Sequence, residues 1–375
     1  MKKRILQVDF NTWYFICNMQ CQYCIKHYDY RIENNNLYLR KTKYENYKFY
    51  ARIEHLFLRA YQVLKKLNEQ YDVGILTFSG SETFLFEYIF DLLEKIDGMF
   101  PVIQLITNGL SLDKTSANKL KKFNNVHITL SLDGNSVESN YSRTKNDKDK
   151  LDNILRNLDY LIEEGIIFDI YTVITKYNID HLENFFRFLE YRKSGAGIQI
   201  WPVFGNGNLM PSKEQIKSLE KLSELHQDFN LKLQPKKYYQ YLINYFKNFN
   251  REIPCYLPYC SFFLRDNGDI KACLCNGIID IGNILKDSPI EIAERQQEEI
   301  FYKNILYSYR KMLPCSKCFI NWDIINLYFC DEITIEDIRN IPLFSNEKIV
   351  LMIKQLKEQV VKNYRRNDIK NEVLC

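Results

Sequence analysis

Read by its alternation of apolar and polar positions, roughly the first 200 residues repeat one unit. A short apolar run comes first, and a longer stretch at helical spacing follows it. Ile53, Leu56, Phe57, Ala60, Leu64 and Leu67 recur every three or four residues, which predicts a long amphipathic helix. Val73-Gly74-Ile75-Leu76-Thr77-Phe78 reads as a strand, and Phe84 to Ile96 as the helix after it, closed by Gly98. Val102 to Ile106, Val126 to Leu132, Ile167 to Ile174 and Ile198 to Trp201 read as further strands. Leu151 to Glu164 and Ile179 to Leu189 read as helices, with Gly165 suited to a C-terminal cap.

With a first strand near Val8 to Phe15, six strand–helix units span residues 1–205. Such alternation implies a parallel sheet, and six units suit an α/β partial (β/α)6 TIM-like barrel better than a complete eightfold one. A doubly wound sheet is the alternative. In either case the chemistry belongs at the carboxyl ends of the strands. Past residue 205 the pattern changes. Lys213 to Asn230 and Tyr238 to Phe249 read as helices, so 206–254 forms a helical connection. Turn signals at Asn267-Gly268 and Gly282-Asn283 break up a smaller cysteine-rich α+β region over 255–335. Helix returns from Glu347 to about Tyr364, within a C-terminal segment over 336–375.

Charge removes some classes of function. The 51 Lys and Arg residues nearly balance 47 Asp and Glu, so nothing points to nucleic acid as a partner. Met1-Lys2-Lys3-Arg4 has the charge of a signal-peptide start, but Gln7, Asp9 and Asn11 interrupt the apolar stretch that must follow. No run of about 18 apolar residues suggests a membrane span. The expectation is a cytoplasmic protein.

The cysteines change the picture most. There are eleven: three at 17–24, none from 25 to 254, seven between 255 and 330, and Cys375. An odd number in a long chain without an export signal argues against a disulfide framework. Gaps of two or three residues instead let neighbouring thiolates converge on one metal centre. Cys17-x3-Cys21-x2-Cys24 offers three thiolates and no nearby fourth. A four-iron cluster ordinarily takes one thiolate per iron, so this set leaves one iron open to a ligand. Part of a structural zinc site is the bland alternative. Short motifs fall at the strand ends as well: Ser79-Gly80-Ser81-Glu82, Thr107-Asn108-Gly109 and Ser131-Leu132-Asp133-Gly134.

The cysteine spacing, with Tyr23 before the last cysteine, resembles the signature of the radical S-adenosylmethionine (SAM) superfamily. The resemblance covers roughly the first 200 residues. It implies that Cys17, Cys21 and Cys24 hold a 4Fe–4S cluster, that SAM fills the open iron, and that SAM cleavage yields a 5′-deoxyadenosyl radical. It also implies a reductant protein such as flavodoxin or ferredoxin. The family's Gly-Gly-Glu-Pro-like turn, which receives the SAM amino group, corresponds to Gly80-Ser81-Glu82-Thr83, with its second glycine and its proline replaced. By the same resemblance Asn108 and Ser131 lie near SAM, Ser131 toward a ribose hydroxyl. Arg143 pairs with the SAM carboxylate, and Tyr23 sits near the adenine. For Glu82 and Arg143 a solvated surface charge is the competing reading, and for Tyr23 ordinary core. His27 is a candidate neighbour of the cluster loop, with simple solvent exposure as its alternative.

Cys255-x4-Cys260-x12-Cys273 is followed by Cys275, Cys315-x2-Cys318 and Cys330, and the Gly268-x4-Cys273 step, with Gly282-Asn283-Ile284 after it, resembles the SPASM/twitch extension of that superfamily. The extension binds one or two auxiliary iron–sulfur clusters. Ile324 and Tyr328 stand about where two further cysteines of a full SPASM pattern belong, so one auxiliary 4Fe–4S cluster is expected. Two ligand sets remain open: Cys255, Cys273, Cys315 and Cys318, or Cys255, Cys260, Cys273 and Cys330. A structural zinc at Cys315 and Cys318 is the third option. Relatives with this extension mostly modify peptides and proteins, while others dehydrogenate or epimerise sugars and similar small molecules. A peptide or protein substrate is the first expectation. Only sixteen residues precede Cys17, too few for a peptide-docking domain, which keeps the small-molecule reading open. Leu274 stands where sulfatase-maturing relatives carry an Asp, which disfavours that branch. An iron–sulfur electron carrier and a zinc-stabilised RNA-binding module are the non-enzyme readings. The strand-end motifs argue against the first and the charge balance against the second.

Overall fold

The structure, a computed structural model, describes residues 2–11, 16–24, 29–34, 36–40, 48–204, 206–273, 279–306 and 309–372. Its strands, in chain order, are β1 (Lys3–Asn11), β2 (Asp29–Glu33), β3 (Asn36–Arg40), β4 (Lys48–Arg52), β5 (Tyr71–Ser79), β6 (Val102–Thr107) and β7 (Val126–Ser131). They continue with β8 (Phe168–Ile174), β9 (Gly197–Pro202), β10 (Lys232–Leu233), β11 (Ser261–Arg265), β12 (Asp269–Lys271) and β13 (Asp280–Asn283). Ten strands form one sheet, in the order β10-β9-β8-β7-β6-β5-β1-β11-β12-β13. Within it β1 and β5 to β9 run parallel, side by side in chain order. These six strands are the expected partial (β/α)6 barrel.

Alternation along each strand separates two faces. Val8, Phe10, Leu76, Phe78, Leu105 and Leu130 are fully buried against the surrounding helices. The opposite face lines the lumen, and there the residues are polar. Gln7 donates to Thr77 Oγ1 at 3.0 Å, and Thr77 donates to Gln104 Oε1 at 2.8 Å. Gln104 Nε2 then donates to Thr129 Oγ1 at 2.8 Å and to Tyr171 Oη at 2.9 Å. This belt crosses five strands and, being buried, gains from each bond it closes. Below it, Asp169 Oδ2 meets His127 Nε2 at 2.8 Å, Gln199 Nε2 at 3.2 Å and the Leu343 N–H at 3.2 Å. The turn Pro342–Phe344 thereby seals the amino-terminal end of the barrel.

The structure departs from the sequence reading in several places. The first strand starts earlier than expected, at Lys3, and is described to Asn11; residues 12–15 of the expected strand lie outside the described residues. The expected helix from Phe84 is broken: a 3-10 turn, Thr83–Leu85, precedes extended Phe86, and the helix begins only at Tyr88. Glu82 causes the break by accepting from Phe84 N while its other oxygen bonds elsewhere. The helix expected over Lys213 to Asn230 is shorter, Ile216–Glu224 with a 3-10 turn after it. An antiparallel sheet, β2-β3-β4, occupies a segment given no structure from sequence. The cysteine-rich region also shares the barrel's sheet, because β11 pairs parallel with β1 from Gln7↔Ser261 to Asn11↔Arg265. The helix Glu347–Glu372 packs beneath β5, where a Cβ on Gly74 would lie 2.9 Å from Met352 Sδ. The same Cβ would lie 3.0 Å from the Leu6 carbonyl oxygen, closer than side chains ordinarily come to backbone.

Candidate active site

The loop carrying Cys17, Cys21 and Cys24 leaves the carboxyl end of the first barrel strand and is stitched to its neighbours. Glu82 N donates to Ile16 O at 2.9 Å, and Gln22 N to Ser142 O at 2.7 Å. Asn108 Nδ2 donates to Asn18 Oδ1 at 2.7 Å and to Cys17 Sγ at 3.4 Å. Asn18 Nδ2 donates to Ser111 Oγ at 3.1 Å, and the Met19 N–H reaches the Cys17 sulfur at 3.4 Å. Cys17 and Cys21 are half-buried and Cys24 is exposed. The three thiols are close enough to act on one another electrostatically. Burial pushes the Cys21 thiol up to about 12 against the pull of Arg143. Loading a metal centre on it therefore has to release a proton. A cleft of about 420 Å³ opens beside the loop, lined in part by Asn18, Gln20, Arg143, Lys145 and Lys150.

Glu82 is not a surface charge. It is 1% exposed, and its carboxylate accepts from Thr107 Oγ1 at 2.6 Å, Asn108 N at 2.7 Å and Phe84 N at 3.2 Å. Burial raises its pKa, and those three bonds oppose the rise. Glu82 thus fixes the end of β6 and the shape of the Gly80-Ser81 turn, where Gly80 adopts φ 81°. Arg143 is buried too. It lies 3.5 Å from Asp133 Oδ1, 3.8 Å from Cys21 Sγ and 5.6 Å from the centre of the Tyr23 ring. Burial alone would lower its pKa, but Tyr23, Asp133 and Cys21 together hold it above the usual arginine value. Among the described residues its buried Nε has no hydrogen-bond partner, a donor that an anionic ligand group would satisfy.

Tyr23 donates its hydroxyl to Asp133 Oδ2 at 2.6 Å and packs against the cluster of Val173, Val203 and Leu209, as Tyr177 and Trp201 also do. An apolar, aromatic-lined wall of this kind suits a planar ring. Ser131 ends β7 half-buried, and its hydroxyl makes no hydrogen bond among the described residues. Sequence reasoning missed Asp133, which joins Tyr23, Arg143 and the Val173 N–H at 3.0 Å. The signal available was its place in the Asp133-Gly134 turn, read only as a strand exit. His27, Leu274, Cys275 and Cys375 lie outside the described residues.

In the second cysteine group, Cys255 is acted on by Cys273 and Cys318, and Cys315 by Cys273 and Cys318. Burial pushes the Cys315 thiol up to about 12 and Cys255 well above its usual value. Cys260 stands apart. Its thiol donates to Tyr256 O and Leu257 O at 3.6 Å, and burial alone raises it to about 12. Cys330 is acted on by Arg251, Glu332, Asp323 and Asp331. Buried Arg251 holds the walls together: it pairs with Asp323, and its other donors reach Ile253 O at 2.7 Å and Cys318 O at 2.8 Å. Asn326 Nδ2 donates to Asp323 at 2.7 Å and to Cys255 Sγ at 3.9 Å. Among the described residues no three His, Cys, Asp or Glu side chains converge tightly enough for a single metal ion.

The radical SAM superfamily matches residues 12–189 of this chain. This is a radical SAM domain. Members of that superfamily use a 4Fe–4S cluster and SAM, and the three thiols, the Glu82 turn and unpaired Arg143 Nε fit such a pair of cofactors. No curated protein matches the chain in sequence. Its fold is similar to that of polyhistidine-tagged anSMEcpe with bound AdoMet, at 17% identity and TM-score 0.59 over 94% of this chain and 96% of that one. Native anSMEcpe with AdoMet and the Cp18Cys peptide aligns at 15% identity and TM-score 0.56, over 98% and 99%. Streptococcus suis SuiB bound to its precursor peptide SuiA aligns at 16% identity and TM-score 0.55, over 81% and 67%. At these identities the likeness is one of fold. Among the described residues no helix is long and apolar enough to cross a membrane.

Proposed function

We propose that this radical SAM protein abstracts hydrogen from a side chain of a peptide or protein in the cytoplasm. The observation that carries the reading is that Cys17 and Cys24 lie within electrostatic reach of Cys21, beside the buried Tyr23–Asp133–Arg143 group at the strand ends. When bound there, the cluster and SAM supply a 5′-deoxyadenosyl radical. The chain's own residues hold and orient the cofactors. Asn108 and the Met19 N–H donate to the Cys17 sulfur, Arg143 offers Nε to the SAM carboxylate, and the Tyr23 wall takes the adenine. The Gly80-Ser81 turn, held by Glu82, receives the SAM amino group, and Ser131 offers its free hydroxyl to the ribose.

A single auxiliary 4Fe–4S cluster held by Cys255, Cys273, Cys315 and Cys318 completes the proposal. Support for that set comes from the mutual influence of those thiols and the separate setting of Cys260. Peptide as the substrate class is supported by the similar folds of SuiB and anSMEcpe, both of which have been seen with peptides. A flavodoxin or ferredoxin supplies the electron. In the test, anaerobically reconstituted protein with dithionite and SAM yields 5′-deoxyadenosine, and Ala at Cys17, Cys21 or Cys24 abolishes it. Undiminished cleavage in any of those variants overturns the assignment. A precursor-peptide gene beside this one supports the substrate class, whereas a cluster of sugar-modifying genes points to a small molecule.

A further inference from the structure

The polar belt closes the barrel lumen, and the next inward-facing residue on most strands is reachable. Two positions beyond buried Gln7, Thr77, Gln104, Thr129 and Gln199 come Asp9, Ser79, Ile106, Ser131 and Trp201, each half-buried rather than sealed. On β8 the corresponding Val173 is nearly closed at 7% exposure. Five strands therefore open at one step above the belt, on the side where the cysteine loop lies. The ring they form has two unlike halves: hydroxyls and a carboxylate on β1, β5 and β7, and Ile106 and the Trp201 indole on β6 and β9. Trp201 packs edge-on against Tyr171 at 4.8 Å.

Asp9 is the only charged side chain in this ring. Its position in the strand alternation puts it on the lumen face, within electrostatic reach of Tyr171, which stands four strands away in the sheet. Among the described residues its only hydrogen-bond partner is the Ser79 hydroxyl, and no ion pair reaches it. Burial of a carboxylate so thinly compensated lifts its pKa to about 6. A desolvated carboxylate that keeps part of its surface accessible, in a ring that also carries an indole, is complementary to a cation. Arg143, the buried basic group of the site, is already engaged with Asp133 and Tyr23.

We infer that the ring above the belt seats the reacting end of the substrate, and that Asp9 binds a cationic group there, the ammonium or guanidinium of a peptide side chain. The inference rests on the proposed function and names the substrate class for the same site. Asp9 lies one strand from the Gly80-Ser81 turn, so a cation held by Asp9 places its own methylenes beneath the SAM position. Ser79 orients the carboxylate, and Trp201 covers the aliphatic stem.

The test uses the reconstituted holoenzyme with SAM and dithionite, and three probes. These are the N-acetyl methylamides of lysine, arginine and norleucine, each deuterated along its side chain. The measured quantity is the fraction of 5′-deoxyadenosine that carries deuterium. Transfer from the lysine or the arginine probe, and not from norleucine, is expected, and which of the two transfers identifies the cation. Asp9→Asn keeps the shape and removes the charge, so the deuterated fraction falls by about tenfold. Transfer from norleucine equal to that from the cationic probes overturns the inference, as does an unchanged fraction in Asp9→Asn. So does unlabelled 5′-deoxyadenosine with both cationic probes. The comparison of probes in the wild type stands even where Asp9→Asn loses its iron. Absence of 5′-deoxyadenosine altogether fails the proposed function itself, and the inference with it.

Discussion

The two cysteine groups of this molecule are built in opposite ways. The first sits on a loop at the barrel's mouth, half-exposed, and is held by hydrogen bonds from the ends of other strands. Its charged neighbours, Arg143 and Asp133, leave a donor free. The second is walled in. Cys255 and Cys315 are buried, and Arg251 spends its donors on Asp323 and on the carbonyls of Ile253, Cys318 and Pro254. One centre has kept capacity for a ligand, while the other has used its polar groups to close itself. A site that must exchange cofactor and substrate cannot satisfy every donor in advance, and a site that only stores or passes electrons can.

The sharpest way to break this comparison is by iron content. Wild type should carry about eight irons, and the triple Cys17/Cys21/Cys24→Ala variant about four with no SAM cleavage. Near eight in the triple variant means two auxiliary clusters, and stoichiometric zinc makes the second group structural. Next comes Arg251→Met, which strands Asp323 in the interior. It should cost on the order of 3–5 kcal/mol in urea unfolding. Arg143→Met should cost less, because Arg143 lies 3.5 Å from Asp133, whereas loss of Arg251 also leaves the carbonyls of Ile253, Cys318 and Pro254 without their donors. Equal losses would erase the contrast between the two centres.

A third, smaller effect concerns the open mouth. Asp9 is raised from 3.8 to about 6, so the folded protein holds its proton more tightly than the unfolded chain. Its burden on stability is absent below the unfolded value and fully present above the folded one. Asp9→Asn should therefore increase the free energy of unfolding near neutral pH, by an amount on the order of 1–3 kcal/mol, and leave it unchanged in acid. A gain independent of pH would assign the effect to packing instead. Smallest of all, Cys260→Ala and Cys330→Ala should each leave the iron near its wild-type value. Loss of about four irons in both variants would restore the other ligand set.

Much of the barrel was legible because buried parallel strands read as apolar runs, as Ile75 to Phe78 does. The antiparallel β2-β3-β4 was not, being short and set among charged residues. The cluster loop was legible because its ligands are neighbours in sequence. Asp133, Arg251 and Asp323 were not, since each gains meaning from a partner that only the fold supplies, 72 residues away for Arg251 and Asp323. Gln7, Asp9 and Asn11 are the instructive case. Alternating with Val8 and Phe10, they registered only as breaks in an apolar stretch, yet the alternation is the signature of a strand with one polar face. That face is the lumen.

The pairing of β1 with β11 bears on how this protein is made. The strand that leads into the cysteine loop keeps one edge open until Ser261–Arg265 has been synthesised and has arrived beside it. Loop closure over that distance is slow, and an exposed strand edge invites pairing with other chains meanwhile. Iron supplied during translation would thus meet a loop whose supporting strand lacks one of its two flanking partners. Truncation before β11 should release a chain that aggregates, not a smaller working barrel.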